Sequence, residues 1–230
     1  MRVLLLAAGL GKRLRPLTLE IPKCLVLIKG KPLLEYWLEM IFDAGIASVM
    51  INLHYLSEKV IEYLDNSPFK NRVTTVYEKQ LLGTAGTLLK NRSFFNDDQI
   101  LLIHADNFSI FNLNDFIQAH NLRPAICDMT LMTFNTDTPE SCGILELDKD
   151  NIVHGFHEKV DNPPGKLANG AVYILENSIF TFLKGLKKQK IDFSTEVLPD
   201  FIGRIYTFHN NHYHRDIGTP ESYKKAQELQ

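Results

Sequence analysis

LLLAAGLGKRLRPLTLEIPKCLV, residues Leu4–Val26, runs from a purely apolar segment straight into glycines and cations. Its opening run, Val3–Ala8, has the continuous apolar character of a central parallel strand covered on both faces. The run is too short for the core of a secretory leader, and it ends in glycines and basic residues rather than a cleavage site. Gly9 and Gly11 allow close approach of backbone to a ligand. Successive N–H groups in such a turn form an anion-binding concavity. Lys12, Arg13, Arg15 and Lys23 add four cationic side chains, with Glu20 the one acid between them. Backbone donors, bidentate arginines and point-charge lysines suit a triphosphate. Two familiar phosphate loops fail here. A dinucleotide fingerprint needs glycine where Leu14 stands. A P-loop needs Ser or Thr after Gly11-Lys12, and Arg13 follows instead.

Outward from this loop, strand-like and helix-like segments alternate. Pro32–Ala44 places Leu33, Leu34, Trp37, Leu38, Ile41 and Phe42 on one helical stripe, with Gly45 as its stop. Ser48–Leu53 reads as a strand, Leu56–Leu64 as a helix with Ser57 as N-cap, and Val73–Tyr77 as a strand. Ala85–Lys90 is expected helical, Ile100–Ile103 a buried strand, and Leu113–His120 a short helix. This rhythm implies a mostly parallel sheet with right-handed crossovers. Ligands in such sheets bind beyond the carboxyl ends of the strands. The segments after Ala8, Tyr77 and Ile103 should therefore share one edge.

The second half is more irregular. Thr130–Phe134, Gly143–Leu147, Ile152–His157, Ala171–Leu175 and Arg204–Phe208 read as strands, Ser178–Leu186 and Pro220–Leu229 as helices. Thr219, Pro220 and Glu221 form a helix start with a cap, a first-turn proline and an acid near the dipole. No internal repeat or low-complexity linker interrupts the chain, and one α/β domain with insertions is expected over residues 1–230.

The 230 residues are 45% apolar and 23% charged, an ordinary globular composition. A net charge of −2 disfavours nucleic acid as a partner, so the positive charge a phosphate ligand needs must be local. No apolar run is long enough for a membrane span. Cys24, Cys127 and Cys142 are odd in number and widely spaced, giving neither a disulfide framework nor a CxxC metal pair. A reducing cytoplasm is the natural setting. Homo-oligomerisation is left open.

Ala8-Gly9-Leu10-Gly11-Lys12-Arg13-Leu14-Arg15-Pro16-Leu17-Thr18, followed by Pro22-Lys23, resembles the signature of the sugar-1-phosphate nucleotidyltransferases. Many members carry Thr or Ser where this chain has Lys12. Further motifs follow in the family's order. Glu78-Lys79-Gln80-Leu81-Leu82-Gly83-Thr84-Ala85-Gly86 is similar to the segment lying against the nucleotide base; as plain structure it is a helix start with Thr84 as cap. Asp106, in Ile103-His104-Ala105-Asp106-Asn107, matches the acid that binds the catalytic metal, although His104 and Ala105 depart from the commoner residues. Independently of any family, a carboxylate after a central strand points into the ligand crevice, and Mg²⁺ favours one or two carboxylates plus phosphate oxygens and waters. Asp216, in Arg215-Asp216-Ile217-Gly218-Thr219-Pro220-Glu221, resembles the second metal acid. Nothing in its spacing from Asp106 supports that pairing; it rests on the resemblance. Phe156-His157-Glu158-Lys159-Val160 resembles F-x-E-K-P, with Val160 for the usual proline, and Asn169-Gly170-Ala171-Val172-Tyr173 resembles N-x-G-[IV]-Y. Gly143 matches a glycine whose backbone lies against the sugar. Alone, an E-K pair is a surface pair and N-G a turn.

The resemblance implies a Rossmann-like α/β fold of the nucleotidyltransferase and GT-A-like type, a mostly parallel mixed sheet flanked by helices. Residues up to about 110 would bind nucleotide and the remainder sugar. The nucleotide side would comprise Leu6, Ala8, Gly9, Gly11, Lys12, Arg13, Glu78, Gly83 and Thr84. The sugar-phosphate side would comprise Gly143, Glu158, Lys159 and Asn169. Arg13, Lys23, Asp106 and Asp216 would be catalytic, the two acids holding Mg²⁺. The expected reaction couples a nucleoside triphosphate to a sugar 1-phosphate and releases pyrophosphate. Leu82–Gly86 leans toward guanylyltransferases acting on mannose- or heptose-type phosphates; uridylyl, thymidylyl and cytidylyl transfer, or a phosphorylated-alcohol acceptor, stay open. Three rival activities are disfavoured by the residues. A glycosyl transferase would carry D-x-D, absent at Asp106-Asn107-Phe108. An oxidoreductase is disfavoured by Leu14. A non-catalytic NDP-sugar-binding regulator would tend to lose cations and acids that are all present here. His209, His212 and His214 read as satisfied strand-end residues rather than a metal set, and Cys24 lacks a paired histidine.

Overall fold

The computed structural model describes residues 1–229. Along the chain, Arg2–Leu6 forms strand β1, Leu27–Ile28 and Lys31–Pro32 a short ladder β2–β3, Leu33–Asp43 helix α1, Val49–Leu53 β4, Ser57–Asp65 α2 and Val73–Tyr77 β5. Thr84–Lys90 and Arg92–Phe95 are helices α3 and α4, Ile100–His104 and Asn107–Ile110 strands β6 and β7, Leu113–Asn121 helix α5 and Met129–Asn135 strand β8. Gly143–Leu147, Val153–Glu158 and Leu167–Leu175 follow as β9, β10 and β11, then Ile179–Gly185 and Phe193–Glu196 as α6 and α7. Ile205–His209 and Tyr213–Asp216 are β12 and β13, and Pro220–Gln227 is α8. The α/β class expected from the alternating pattern is the one observed.

Contacts group the residues into two compact units. The glycine-loop unit comprises Arg2–Leu81, Ile103–Phe111 and Tyr213–Gln230; the hairpin unit comprises Met1, Leu82–Leu102 and Asn112–His212. In the glycine-loop unit β1 pairs parallel with β4, and β4 parallel with β5. Strand β4 is buried throughout, as its apolar composition dictates. In the hairpin unit the order runs β10-β9-β11-β6, with β8 antiparallel to β11 and β12 parallel to β8. Pairing is thus parallel around β4 in the glycine-loop unit, and mixed in the hairpin unit, antiparallel through β9–β10.

Several expectations shift. Helix α2 starts at Ser57, but its N-cap position is Leu56 in a left-handed conformation, and no side chain caps it. Strand β11 is longer than its apolar end suggests, because Leu167, Ala168 and Asn169 also pair with β8. Strands β7 and β13 escaped the periodicity reading: each has four residues, and HRD supplies no apolar alternation. The cap at Thr219 is observed, accepting from the Ser222 N–H, with Pro220 in the first turn. No helix among the described residues is long and apolar enough to cross a membrane. The three cysteines are free thiols.

Candidate functional site

One hydrophobic cluster of the glycine-loop unit brings distant charged residues together. Leu14, Val26, Leu33, Phe108, Ile217 and Ala226 are packed in it, all but inaccessible. Leu14 follows Arg13, Phe108 lies two residues beyond Asp106, and Ile217 follows Asp216. Burying each such side chain is worth about 1.5–3 kcal/mol, so the apolar neighbours hold the charged ones at the rim. Antiparallel pairing of β13 with β7 sets the register, placing Asp216 opposite Asn107. The Trp37 indole N–H donates to the Asn107 carbonyl at 2.9 Å, and the Ser222 hydroxyl donates to the Asp216 carbonyl. At the end of β1, the Leu6 carbonyl accepts from the Ala105 N–H at 3.1 Å, which brings Asp106 to the strand end beside the glycine loop.

The ammonium of Lys23 lies between the two acids. Its Nζ donates to Asp106 Oδ2 at 3.0 Å and to Asp216 Oδ1 at 2.8 Å. Arg13 Nη2 reaches the other Asp216 oxygen at 3.2 Å. Lys23 is 5% exposed, whereas the two carboxylates are 36% and 44% exposed. Burial alone would lower the Lys23 pKa; attraction to Asp106 and Asp216 outweighs it and the net shift is upward. Burial would likewise raise Asp216, but Lys23 and Arg13 hold it below its ordinary value. Neighbouring His214 is pushed down to about 3, chiefly by burial, with His104 and Arg215 adding to the effect against Asp216 and Asp106. It is neutral at physiological pH and contributes no cation. Burial, then the charge of Asp106, raises the Cys24 thiol to about 12, so it is no nucleophile.

The glycines fit this setting. Gly9 leaves a Cβ position 4.0 Å from Asp106 Oδ2. Gly11 has φ +58° and its carbonyl accepts from the Thr18 hydroxyl at 2.6 Å. Lys12 and Arg13 are exposed on the short 3₁₀ turn that follows; Leu6 and Ala8 are buried. At Gly218, which the motif reading left without a role, any Cβ would sit 2.7 Å from Arg13 Nη2 and 2.9 Å from Asp216 Oδ1. Glycine is what lets the Arg13–Asp216 pair close.

Glu78 is 2% exposed at the end of β5. Asn52 Nδ2 donates to Glu78 Oε1 at 3.0 Å, and Asn52 Oδ1 accepts from the Ala7 N–H at 2.8 Å. Asn52 therefore ties Glu78 to the chain entering the glycine loop. Sequence reasoning missed it, though a lone amide in the otherwise apolar Val49–Leu53 was its signal.

In the hairpin unit, β9 and β10 bring Gly143 opposite Glu158. A Cβ at Gly143 would lie 2.6 Å from both Glu158 Oε2 and the Phe156 ring. Lys159 Nζ pairs with Glu158 Oε1 at 3.0 Å, its backbone is left-handed at φ +50°, and its N–H donates to the Cys142 carbonyl. Asn169 is not in a turn. It lies in β11, beside a register shift between Asn169 and Tyr173.

Gly83 and Thr84 open α3, and here the cap expectation is corrected. Gly83 occupies the N-cap position, with no side-chain cap. The Thr84 hydroxyl instead accepts from the Phe193 N–H at 2.6 Å. Both glycines of Gly83–Gly86 abut backbone of Gln189–Ile191, where any Cβ would collide, and the Ala85 and Gly86 N–H groups donate to the Ile191 carbonyl. Part of this motif's glycine content is thus packing. Thr133 bonds His209, and Ser109 bonds His214; no group of three potential metal ligands occurs among the described residues.

With this geometry in place, a profile of the nucleotidyl transferase family matches residues 2–230. The chain belongs to that family. It is 31% identical over 233 residues to the D-glycero-alpha-D-manno-heptose 1-phosphate guanylyltransferase of Aneurinibacillus thermoaerophilus, covering 100% of this chain and 99% of that one. It is 28% identical to the mannose-1-phosphate guanylyltransferase of Mycobacterium tuberculosis, covering 96% of this chain and 62% of that protein. HddC from Yersinia pseudotuberculosis, solved alone and complexed with GMP-PN, superposes at TM-score 0.82 with 29% and 28% identity, over 99% of this chain and 98% of that one. The chain spans between about half and three fifths of the first curated relatives it matches, 52% to 62% of their length.

Proposed function

We propose that this nucleotidyl transferase joins a nucleoside triphosphate to a sugar 1-phosphate, releasing pyrophosphate and an NDP-sugar. The observation that carries the reading is Lys23 Nζ bridging Asp106 and Asp216, with Arg13 against Asp216. The two acids share one cation, Asp106 just beyond β6 and Asp216 at the end of β13. Asp106 and Asp216 would hold a divalent ion, whose remaining ligands would come from phosphate and water. That donor set fits a divalent cation, and magnesium best. Such an ion would supply charge neutralisation on the phosphate oxygens.

The protein's own part is positioning and charge cancellation. A phosphate monoester dianion is already nucleophilic, so no general base is needed at the α-phosphorus. Backbone of Gly9–Gly11 cradles the triphosphate together with Lys12, beside Leu6 and Ala8. Lys23 donates to a phosphate oxygen, and Arg13 neutralises the departing pyrophosphate. Glu78, Gly83 and Thr84 serve the base; Gly143, Glu158, Lys159 and Asn169 serve the sugar phosphate. GTP and a heptose- or mannose-type 1-phosphate are favoured by the named activities of the relatives and by the nucleotide ligand held by HddC. The free thiols fit a reducing cytoplasm.

The test is a matrix of four nucleoside triphosphates against a panel of sugar 1-phosphates, read by pyrophosphate release with and without magnesium. GTP with a manno- or heptose 1-phosphate should give the highest kcat/KM. Absence of turnover in every cell of the matrix would end the reading. Within it, Arg13→Ala should lower kcat/KM by roughly 10²–10³-fold, about 2.7–4 kcal/mol of transition-state stabilisation. Thermal stability should barely change, because an ion pair this exposed contributes about 0–1 kcal/mol. A folded Arg13→Ala variant with unchanged kcat/KM would reverse that assignment.

A further inference from the structure

We propose that Tyr173 is a positioning residue for sugar recognition, anchoring the second end of the Asn169 amide across a bulge in β11. The inference rests on the reading of Asn169 as a sugar-side residue and adds what holds that residue in place.

Four observations carry it. The bulge lies between Asn169 and Tyr173, where the register on β8 shifts. Ala171, in its middle, is left-handed at φ +54°, a conformation that costs a residue with a Cβ about 1–3 kcal/mol and persists only when its surroundings impose it. Asn169 closes the loop at both ends of its amide: Oδ1 accepts from the Ala171 N–H at 2.8 Å, and Nδ2 donates to the Tyr173 hydroxyl at 2.8 Å. Gly170 admits no side chain, since a Cβ there would fall 2.9 Å from the Met132 carbonyl oxygen.

An amide flipped end for end would place its oxygen against the phenol oxygen and its NH₂ against the Ala171 N–H. The second contact is donor against donor, so the Ala171 N–H sets which end of the amide faces it; the phenol, which can donate or accept, anchors the other end and stops the amide swinging about that single bond. The Asn169 amide is therefore left with one N–H and one oxygen lone pair for a ligand. A donor–acceptor pair held at both ends recognises one hydroxyl configuration of a sugar; an amide held only by the Ala171 N–H can swing and recognises it less sharply. Tyr173 is itself fixed. It is fully buried, its ring lies 4.6 Å from that of Phe193, and Ser194 is a further hydrogen-bond partner of its hydroxyl. Nothing about Tyr173 requires it to touch substrate.

The experiment compares the whole protein with Tyr173→Phe and Asn169→Ala. Tyr173→Phe keeps the ring and removes only the hydroxyl. Its KM for the sugar 1-phosphate should rise on the order of threefold to tenfold, the span of one lost hydrogen bond, with KM for the nucleotide unchanged. Its preference between two sugar 1-phosphates epimeric at one hydroxyl should fall by a similar factor. A merely structural role would lower stability without altering that preference. An unchanged preference, with Asn169→Ala altering it, overturns the role of Tyr173. No effect from Asn169→Ala, in a protein that still turns over, overturns the sugar-side reading of Asn169. A third measurement is independent of turnover. In ¹⁵N spectra the two Asn169 side-chain protons should be distinct, with one protected from exchange in the wild type and neither in Tyr173→Phe. Equal protection in both proteins sinks the proposal even if no substrate is found.

Discussion

Asp106→Asn should abolish magnesium-dependent pyrophosphate release, on the order of a thousandfold or more, while the protein stays folded. The size follows from removing one of two acids that share a single cation: losing one preorganised electrostatic group costs about 10²–10³ in rate, and loss of an ion's anchor adds to it. The fold should survive because Asp106 is 36% exposed and its neighbours are held by Phe108 and the Ala105–Leu6 hydrogen bond rather than by its charge. Circular dichroism and a melting curve alongside the assay separate the two effects. Wild-type turnover in Asp106→Asn, at any magnesium concentration, would show the ion to be held elsewhere.

Lys23→Met should act on stability as well as on rate. The ammonium compensates two carboxylates that the β7–β13 pairing forces together, and its removal leaves them facing each other. Breaking a buried pair costs about 3–5 kcal/mol; because both acids here are partly open to water, about 1–3 kcal/mol is expected. The diagnostic is the response to metal. A divalent cation should raise the melting temperature of Lys23→Met more than that of the wild type, since in the variant it no longer competes with an internal ammonium. Catalysis should still fall, as the ion cannot replace the lysine's donation to phosphate. If metal stabilised both proteins equally, Lys23 and the ion would not share a place.

The Asp106–Asp216 pairing had only resemblance behind it. Its structural basis is the short ladder of β7 on β13, joined by Leu14, Phe108 and Ile217 in one apolar cluster. Asn52, Gly218 and Tyr173 had no assigned role either. Each matters through a partner far along the chain: Asn52 through the Ala7 N–H and Glu78, Gly218 through Arg13, Tyr173 through the bulge that its motif spans. The two misplaced helix caps, Ser57 and Thr84, differ in cause. Leu56, with a left-handed backbone, takes the cap position ahead of Ser57, and the Thr84 hydroxyl accepts from the Phe193 N–H instead of from its own helix.

Read by itself, the chain determined whatever depends on a window of a few residues: the apolar strand entering Gly9–Gly11, the stripe of α1, the Thr219–Pro220 helix start, the dense cations of Lys12–Lys23 and the α/β alternation. Hydrophobic periodicity and backbone preference act over that range, so composition alone carries them. Tertiary structure decided which acid meets which cation, which strand bends and which amide is locked. Those outcomes depend on packing residues remote in sequence, where a partner's identity is set by shared burial and by register and leaves no local trace.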